Sequence, residues 1–175
     1  MNDPNPYQAP EAPLPSAPLA LDGAEVLAGR GERFGAALID GVIALATFLP
    51  LAALTGYLGS AMDAARGGAP VPWLTMAGNA MLSFVAFVVV QGYPLAKTGQ
   101  TWGKKLLWIR IVDMEGEPPP LWRLLALRYL PTQLLALVPI VANFYVLVDA
   151  LFIFRKDKRC LHDLIAGTQV VNVRR

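Results

Sequence analysis

Four charged residues lie where the sequence is otherwise strongly apolar. Arg33 and Asp40 are seven residues apart at the start of one apolar run, Asp149 interrupts another, and Asp163 follows near the C-terminus. A carboxylate at the centre of a membrane helix costs about 2.5–3.5 kcal/mol on insertion scales, so such a residue faces protein or water and marks a candidate ion or proton site. These four are the candidate ligand- or ion-binding residues. In the alternative interpretation, their charges only fix how the helices pack.

Arg33 and Asp40 would lie two turns apart on nearly the same face of a helix. At a rise of 1.5 Å per residue, their Cβ atoms would be about 10 Å apart. A direct ion pair would therefore need both side chains to be almost fully extended. We expect a bridging group, or a partner on another helix, to satisfy these charges.

The apolar runs that hold these residues predict an all-α integral membrane protein. Hydrophobic residues make up 55% of the 175 residues and charged residues only 16%, whereas soluble domains average about 25% charged. Two runs exceed the roughly 20 residues needed to cross a bilayer. They predict spanning helices over about 33–57 and 73–96, joined by a Gly/Ala-rich loop over 60–72, with Pro50 kinking the first helix.

The last apolar stretch, residues 121–154, is too long for one span, and two spans need about 40 residues. We predict a helical hairpin over about 121–138 and 142–154; a single tilted third span is the alternative. Segments 97–128 and 155–175 each carry six Lys and Arg residues. Because basic residues stay on the cytoplasmic side, both segments and the N-terminus are expected there. This topology corresponds to a multi-pass membrane protein with a cytoplasmic N-terminus.

The remaining segments predict smaller features at the cytoplasmic face. Residues 102–108 form a basic amphipathic stretch suited to anionic headgroups. Segments 107–113 and 168–173 are rich in β-branched residues and are predicted to pair as a two-stranded β ribbon. A short interfacial helix should end at Gly167. The first 25 residues are Pro-rich and are predicted to form a disordered tail before one domain over 26–175.

The sequence predicts no cofactor and no metal site. The single cysteine, Cys160, excludes a disulfide scaffold and is expected to be an inert thiol. The single histidine, His162, is expected to be an interfacial side chain. A net charge of +2 gives no indication of nucleic acid as a partner.

Several separated motifs lie in order around the apolar segments. They are Arg33-x-x-Ala36-x-x-x-Asp40, Thr101-Trp102-Gly103-Lys104-Lys105-Leu106-Leu107 with Arg110-Ile111-Val112-Asp113, and His162-Asp163-Leu164-Ile165-Ala166-Gly167-Thr168-Gln169-Val170-Val171. Together they resemble the RDD family of small bacterial membrane proteins. The resemblance covers about residues 26–175 and implies that the arginine and first aspartate of the family are Arg33 and Asp40. It places the second aspartate at Asp163, with Asp149 as the alternative, and implies a transport role, with cation/proton exchange suspected for some members.

Two functions remain open on the sequence. The first is a small transporter or transporter subunit for a small ion or solute, which would need a homo-oligomer or a partner membrane protein to enclose a pathway. The second is a non-catalytic membrane adaptor that binds partner proteins or lipids at the cytoplasmic face. An enzyme is not predicted, because the sequence has neither an H-E-x-x-H helix nor a G-x-S-x-G nucleophile motif.

Overall fold

The computed structural model describes residues 26–135 and 137–173, without the side chains of residues 139 and 140. The predicted disordered tail over 1–25 lies outside the described residues. The described chain is mostly helical, with two long apolar helices and a small antiparallel sheet, as predicted.

The two long helices are α1, Arg30–Leu54, and α3, Trp73–Thr98. The carboxylate of Glu32 accepts a hydrogen bond from the Gly29 amide at 2.7 Å, which satisfies a free donor at the start of α1. The helix continues through Pro50 to Leu54. Both helices are long and apolar enough to cross a bilayer. Large apolar side chains on both are more than half exposed, among them Val42, Leu45, Val85 and Val89.

The connection between the two long helices is partly helical, which corrects the loop predicted over 60–72. Helix α2 covers Tyr57–Ala65. Gly56, at φ 73°, takes the left-handed conformation that ends α1 and redirects the chain. The segment that follows forms a helix despite Gly59 and Ser60. It contains five residues with high helix propensity: Leu58, Ala61, Met62, Ala64 and Ala65.

The predicted ribbon is confirmed. Strand β1, Ile109–Asp113, pairs antiparallel with β2, Thr168–Asn172, and Ile111 lies opposite Val170. An isolated ribbon is marginally stable in water. Here the chain before α1 extends it, because Leu27 forms a bridge to Val171. The ribbon is packed rather than solvated: its fully buried apolar residues are Ile109, Ile111, Val112, Val170 and Val171.

Between the strands the chain forms a series of short helices. Helix α4, Trp102–Leu106, precedes β1. After β1, helix α5, Leu121–Arg123, leads into a π-helical segment, Leu124–Tyr129, and then helix α6, Leu130–Leu135. The last apolar segment thus divides into two helical stretches, with a turn at residues 137–138. The second stretch is α7, Pro139–Leu151, extended by a 3-10 turn at Phe152–Phe154, and is followed by α8, Leu161–Ala166.

Candidate functional site

Asp163 is the centre of a buried charge network. Its side chain is 0% exposed, and it forms ion pairs with Arg33 of α1 and with Arg128 of the π-helical segment. It also accepts a hydrogen bond from the Cys160 amide at 3.0 Å, so it stabilises the start of α8. Burial raises the pKa of Asp163, but Arg128, His162 and Arg33 outweigh burial and hold that pKa well below its usual range.

Arg33 contacts residues that lie between 125 and 130 positions later in the sequence. Its guanidinium donates to the Lys158 carbonyl and to Asp163, and its Nη2 lies 3.5 Å from the Cys160 Sγ. Its partner is therefore on another helix and not Asp40. The partner on another helix that the sequence analysis expected for Arg33 is thus Asp163 of α8.

Asp40 belongs to a second network, where it holds the start of α4 against α1. Its Oδ1 accepts hydrogen bonds from the Gly103 amide at 2.8 Å and from Gln91 Nε2 at 3.1 Å. Its Oδ2 accepts one from Thr101 Oγ1 at 2.5 Å. Gly103 is required here, because a Cβ at this position would lie 2.9 Å from the Asp40 carboxyl carbon.

Residues 102–108, which are predicted to rest on anionic headgroups, also pack against α1. Thr101 and Gly103 are buried against α1, whereas Trp102, Leu106 and Trp108 remain exposed by 39%, 63% and 51%. The segment therefore has one face directed into the protein and one face directed outward.

The Lys104 ammonium group lies within ion-pair distance of Asp40. Its Nζ lies 3.8 Å from Asp40 Oδ2, and the two side chains are only 15% and 19% exposed. Burial lowers the pKa of Lys104 to about 8, and Arg128 adds to this effect against the attraction of Asp40. The sequence does not distinguish Lys104 from Lys105. In the structure they differ because Thr101 caps α4 and sets the direction of the helix, so that Lys104 faces Asp40 and Lys105 lies over the Trp102 ring.

A cavity of about 670 Å³ lies between α1 and α3, and Asp40 and Lys104 line it together with Gln91 and Thr101. Most of its other walls are apolar. Two further lining groups, Ser83 Oγ and the Tyr129 hydroxyl, are buried without a hydrogen-bond partner among the described residues. Buried polar groups of this kind are normally satisfied by water or a ligand. The cavity is therefore suited to a small polar or hydrated guest.

Asp149 forms a pair with His162. The His162 amide donates to Asp149 Oδ1 at 2.9 Å, and the ring Nδ1 lies 2.7 Å from Oδ2. His162 is thus held against Asp149 with 23% of its side chain exposed, and its interfacial position stays a prediction. Burial lowers the pKa of His162, and Arg128 lowers it further, against the attraction of Asp149 and Asp163.

A second cavity, of about 320 Å³, extends from this pair to the first site. Asp149, His162 and Arg128 line one part of it, and Asp40 and Lys104 line the other. The two cavities thus share the Asp40–Lys104 ion pair. Three of the four candidate residues, Arg33, Asp149 and Asp163, lie around Cys160 and His162, and Asp40 lies across the second cavity from Asp149.

The family comparison covers this whole arrangement. The model of the RDD family matches residues 27–167, which include Arg33, Asp40, Asp149 and Asp163. The chain belongs to the RDD family. No curated protein and no solved structure matches it. In this RDD protein, family membership and the two long apolar helices together indicate a membrane protein.

The RDD charges do not form one cluster here. Arg33 and Asp163 meet directly, while Asp40 binds the start of α4 and Lys104. The assignment of Asp163 as the second family aspartate stays a prediction, and its ion pair with Arg33 favours it over Asp149. The sequence analysis missed Arg128, which is the second cation of the Asp163 network, and Lys104, which supplies the cation of the Asp40 network. Arg128 lies seven residues before the end of the helical run at Leu135, and this position carries no signal of its own.

Proposed function

We propose that this RDD protein is a transporter, or a transporter subunit, that moves a small cation across the bacterial inner membrane. The Asp40 carboxylate is the binding group. The observation that carries the proposal is the position of the Asp40–Lys104 pair in the cavity between the two long apolar helices. An ionisable pair beside a cavity between apolar helices is the usual setting of an ion pathway.

In the proposed topology, α1 and α3 span the bilayer and the helices before and after residues 137–138 return as a hairpin. The N-terminus, the β ribbon and α8 then lie at the cytoplasmic face. The two helical stretches agree with this arrangement, and a single tilted span is the alternative. A reporter fused after residue 175 tests it, because an external C-terminus would reject the hairpin.

In the proposed transport mechanism, the cation and the Lys104 ammonium group compete for the Asp40 carboxylate. Asp40 Oδ1 is occupied by two amide donors, whereas Oδ2 has Thr101 Oγ1 at 2.5 Å and the Lys104 ammonium at the longer distance of 3.8 Å. Lys104 is thus the partner that is displaced most easily. A cation that enters the cavity takes the place of the ammonium group, and the return of Lys104 releases that cation.

The cavity is open on one side, because two long helices cannot enclose a pathway. We propose that a second copy of the chain or a partner membrane protein completes the wall. Exposed apolar residues on both helices, such as Val42 and Val89, provide the surface that this contact or the lipid would cover.

The test is cation flux into vesicles that contain the purified protein, measured for Na⁺, K⁺ and Li⁺. Asp40→Asn should abolish the flux and Lys104→Gln should alter its dependence on cation concentration. Lys105→Gln is the matched control, because Lys105 lies over the Trp102 ring and outside both cavities. Equal flux through Asp40→Asn and wild type, at equal amounts of folded protein, would overturn the proposal.

The adaptor function remains the second candidate, and one observation favours it. Trp102, Leu106 and Trp108 are exposed next to Lys105 on the outer face of α4. Such an aromatic and basic surface suits a protein or anionic lipid partner. Purification in mild detergent discriminates: recovery of the homo-oligomer alone would count against an adaptor.

A further inference from the structure

The only cysteine and the only histidine of the chain meet the carboxylate of Asp149. One donor atom from each of Asp149, Cys160 and His162 lies within 4.8 Å of the other two. Asp149 comes from α7, Cys160 directly precedes α8, and His162 lies in the first turn of α8. Carboxylate oxygen, thiolate sulfur and imidazole nitrogen are the donors that Zn²⁺ takes in proteins.

The imidazole of His162 lies between two carboxylates. Its Nδ1 is 2.7 Å from Asp149 Oδ2 and its Nε2 is 3.7 Å from Asp163 Oδ1. A neutral ring carries one N–H and can donate to only one of them. A metal ion held between Nδ1 and Asp149 leaves the proton on Nε2, directed at Asp163. Metal-binding histidines commonly have a second carboxylate at the far ring nitrogen.

The neighbouring guanidinium groups do not exclude a cation. Arg33 and Arg128 both form ion pairs with Asp163, and Asp149 adds a second negative charge. Arg159, whose Nη2 donates to the Asp163 carbonyl at 3.3 Å, adds a third positive charge, so these five groups sum to +1. The Cys160 thiolate of the occupied site brings that sum to zero before the metal ion is counted. Burial raises the pKa of the Cys160 thiol to about 11, and Arg33, whose Nη2 lies 3.5 Å from the Sγ, opposes this shift. Formation of the thiolate that zinc requires therefore depends on the bound metal itself.

The cavity of about 320 Å³ gives access to the three donors, because Asp149 and His162 line it. Tyr145 lines the same cavity, and its hydroxyl is buried without a hydrogen-bond partner among the described residues. A water molecule in this space would supply a fourth ligand and a partner for the hydroxyl. Three protein ligands and one water form the open type of zinc site.

We propose that Asp149, Cys160 and His162 bind one Zn²⁺, with a cavity water as the fourth ligand. Binding displaces the thiol proton of Cys160 and leaves the imidazole neutral, so one proton is released for each metal ion. Asp40 lines the same cavity but is not one of the three ligands, and the zinc proposal does not depend on the transport proposal.

Cobalt(II) reports on this site directly. The full chain is purified in detergent with a tag that lacks histidine, and Co²⁺ is titrated while the absorption spectrum is recorded. The expected result is a thiolate-to-cobalt charge-transfer band together with visible bands of a four-coordinate ion, both removed by one equivalent of Zn²⁺. Cys160→Ser should lose the charge-transfer band.

Two further variants keep the test independent of the cysteine. Asp149→Asn and His162→Gln should each weaken zinc binding by at least the roughly 10–100-fold that follows loss of an outer-shell partner. Asp157→Asn, in the exposed turn before α8, should bind as wild type does. Absence of the cobalt bands in the folded wild-type protein, or unchanged zinc affinity in Asp149→Asn and His162→Gln, would overturn the proposal.

Discussion

Arg33 and Asp163 form an ion pair across 130 residues of sequence and join the first helix to the last. Arg128 occupies the other oxygen of the same carboxylate, so one buried aspartate connects α1, the π-helical segment and α8. Removal of one partner from a buried pair leaves an uncompensated charge and costs about 3–5 kcal/mol.

Asp163→Asn should therefore destabilise the fold by an amount in that range, seen as a lower unfolding midpoint in detergent. Asp157→Asn is the matched control, because Asp157 pairs with Arg155 in an exposed turn and its loss should leave the midpoint nearly unchanged. An unchanged midpoint in Asp163→Asn would show that the buried network does not stabilise the protein.

Acid should weaken the same network. The pKa of Asp163 is lowered in the folded protein, so its contribution is fully present above the unfolded value of about 3.9 and is lost as the pH falls below that value. The unfolding midpoint of wild type should fall more steeply below pH 4 than that of Asp163→Asn. Parallel acid profiles for the two proteins would contradict this assignment.

The lowered pKa of Lys104 predicts how the stability of the protein changes at alkaline pH. Its pKa falls from 10.5 to about 8 on folding, so the unfolded chain binds more protons between these values. Stability should rise with pH across that window, since the cost of the buried ammonium disappears as it loses its proton. Unfolding midpoints measured from pH 7.5 to 10.5 should show a smaller rise for Lys104→Gln than for wild type or Lys105→Gln. The same rise in all three proteins would argue against a buried Lys104 with a lowered pKa.

Gly103 should be intolerant of a methyl group. A Cβ there would meet the Ala36 carbonyl and lie 2.9 Å from the Asp40 carboxyl carbon, so Gly103→Ala must push α4 away from α1. We expect a loss of about 1–3 kcal/mol, typical of overpacking. Gly41→Ala is the control, because a Cβ at that position has no heavy atom within 4 Å. A stability of Gly103→Ala equal to that of Gly41→Ala would show that the close approach is not required.

The elements that depend on local pattern were predictable. Two uninterrupted apolar runs gave α1 and α3, and β-branched segments gave the pair β1 and β2. The sequence also marked Arg33 and Asp40 as residues that need partners. It could not identify those partners, because the contacts between Arg33 and Asp163 or between Asp40 and Gly103 depend on how distant segments pack. Helix α2 was missed because glycine near its ends suggested a loop.

Arg33 is synthesised long before Lys158, Cys160 and Asp163, which together surround its guanidinium. During translation, α1 is therefore complete before these partners exist, and the Arg33 guanidinium then contacts only water, lipid headgroups or a chaperone. The ion pair between Arg33 and Asp163 forms only after α8 has been synthesised. Nascent chains that end before residue 158 would leave the Arg33 guanidinium, at the start of α1, without these partners. Such an unpaired charge would distinguish an incomplete chain from a complete one for membrane quality control.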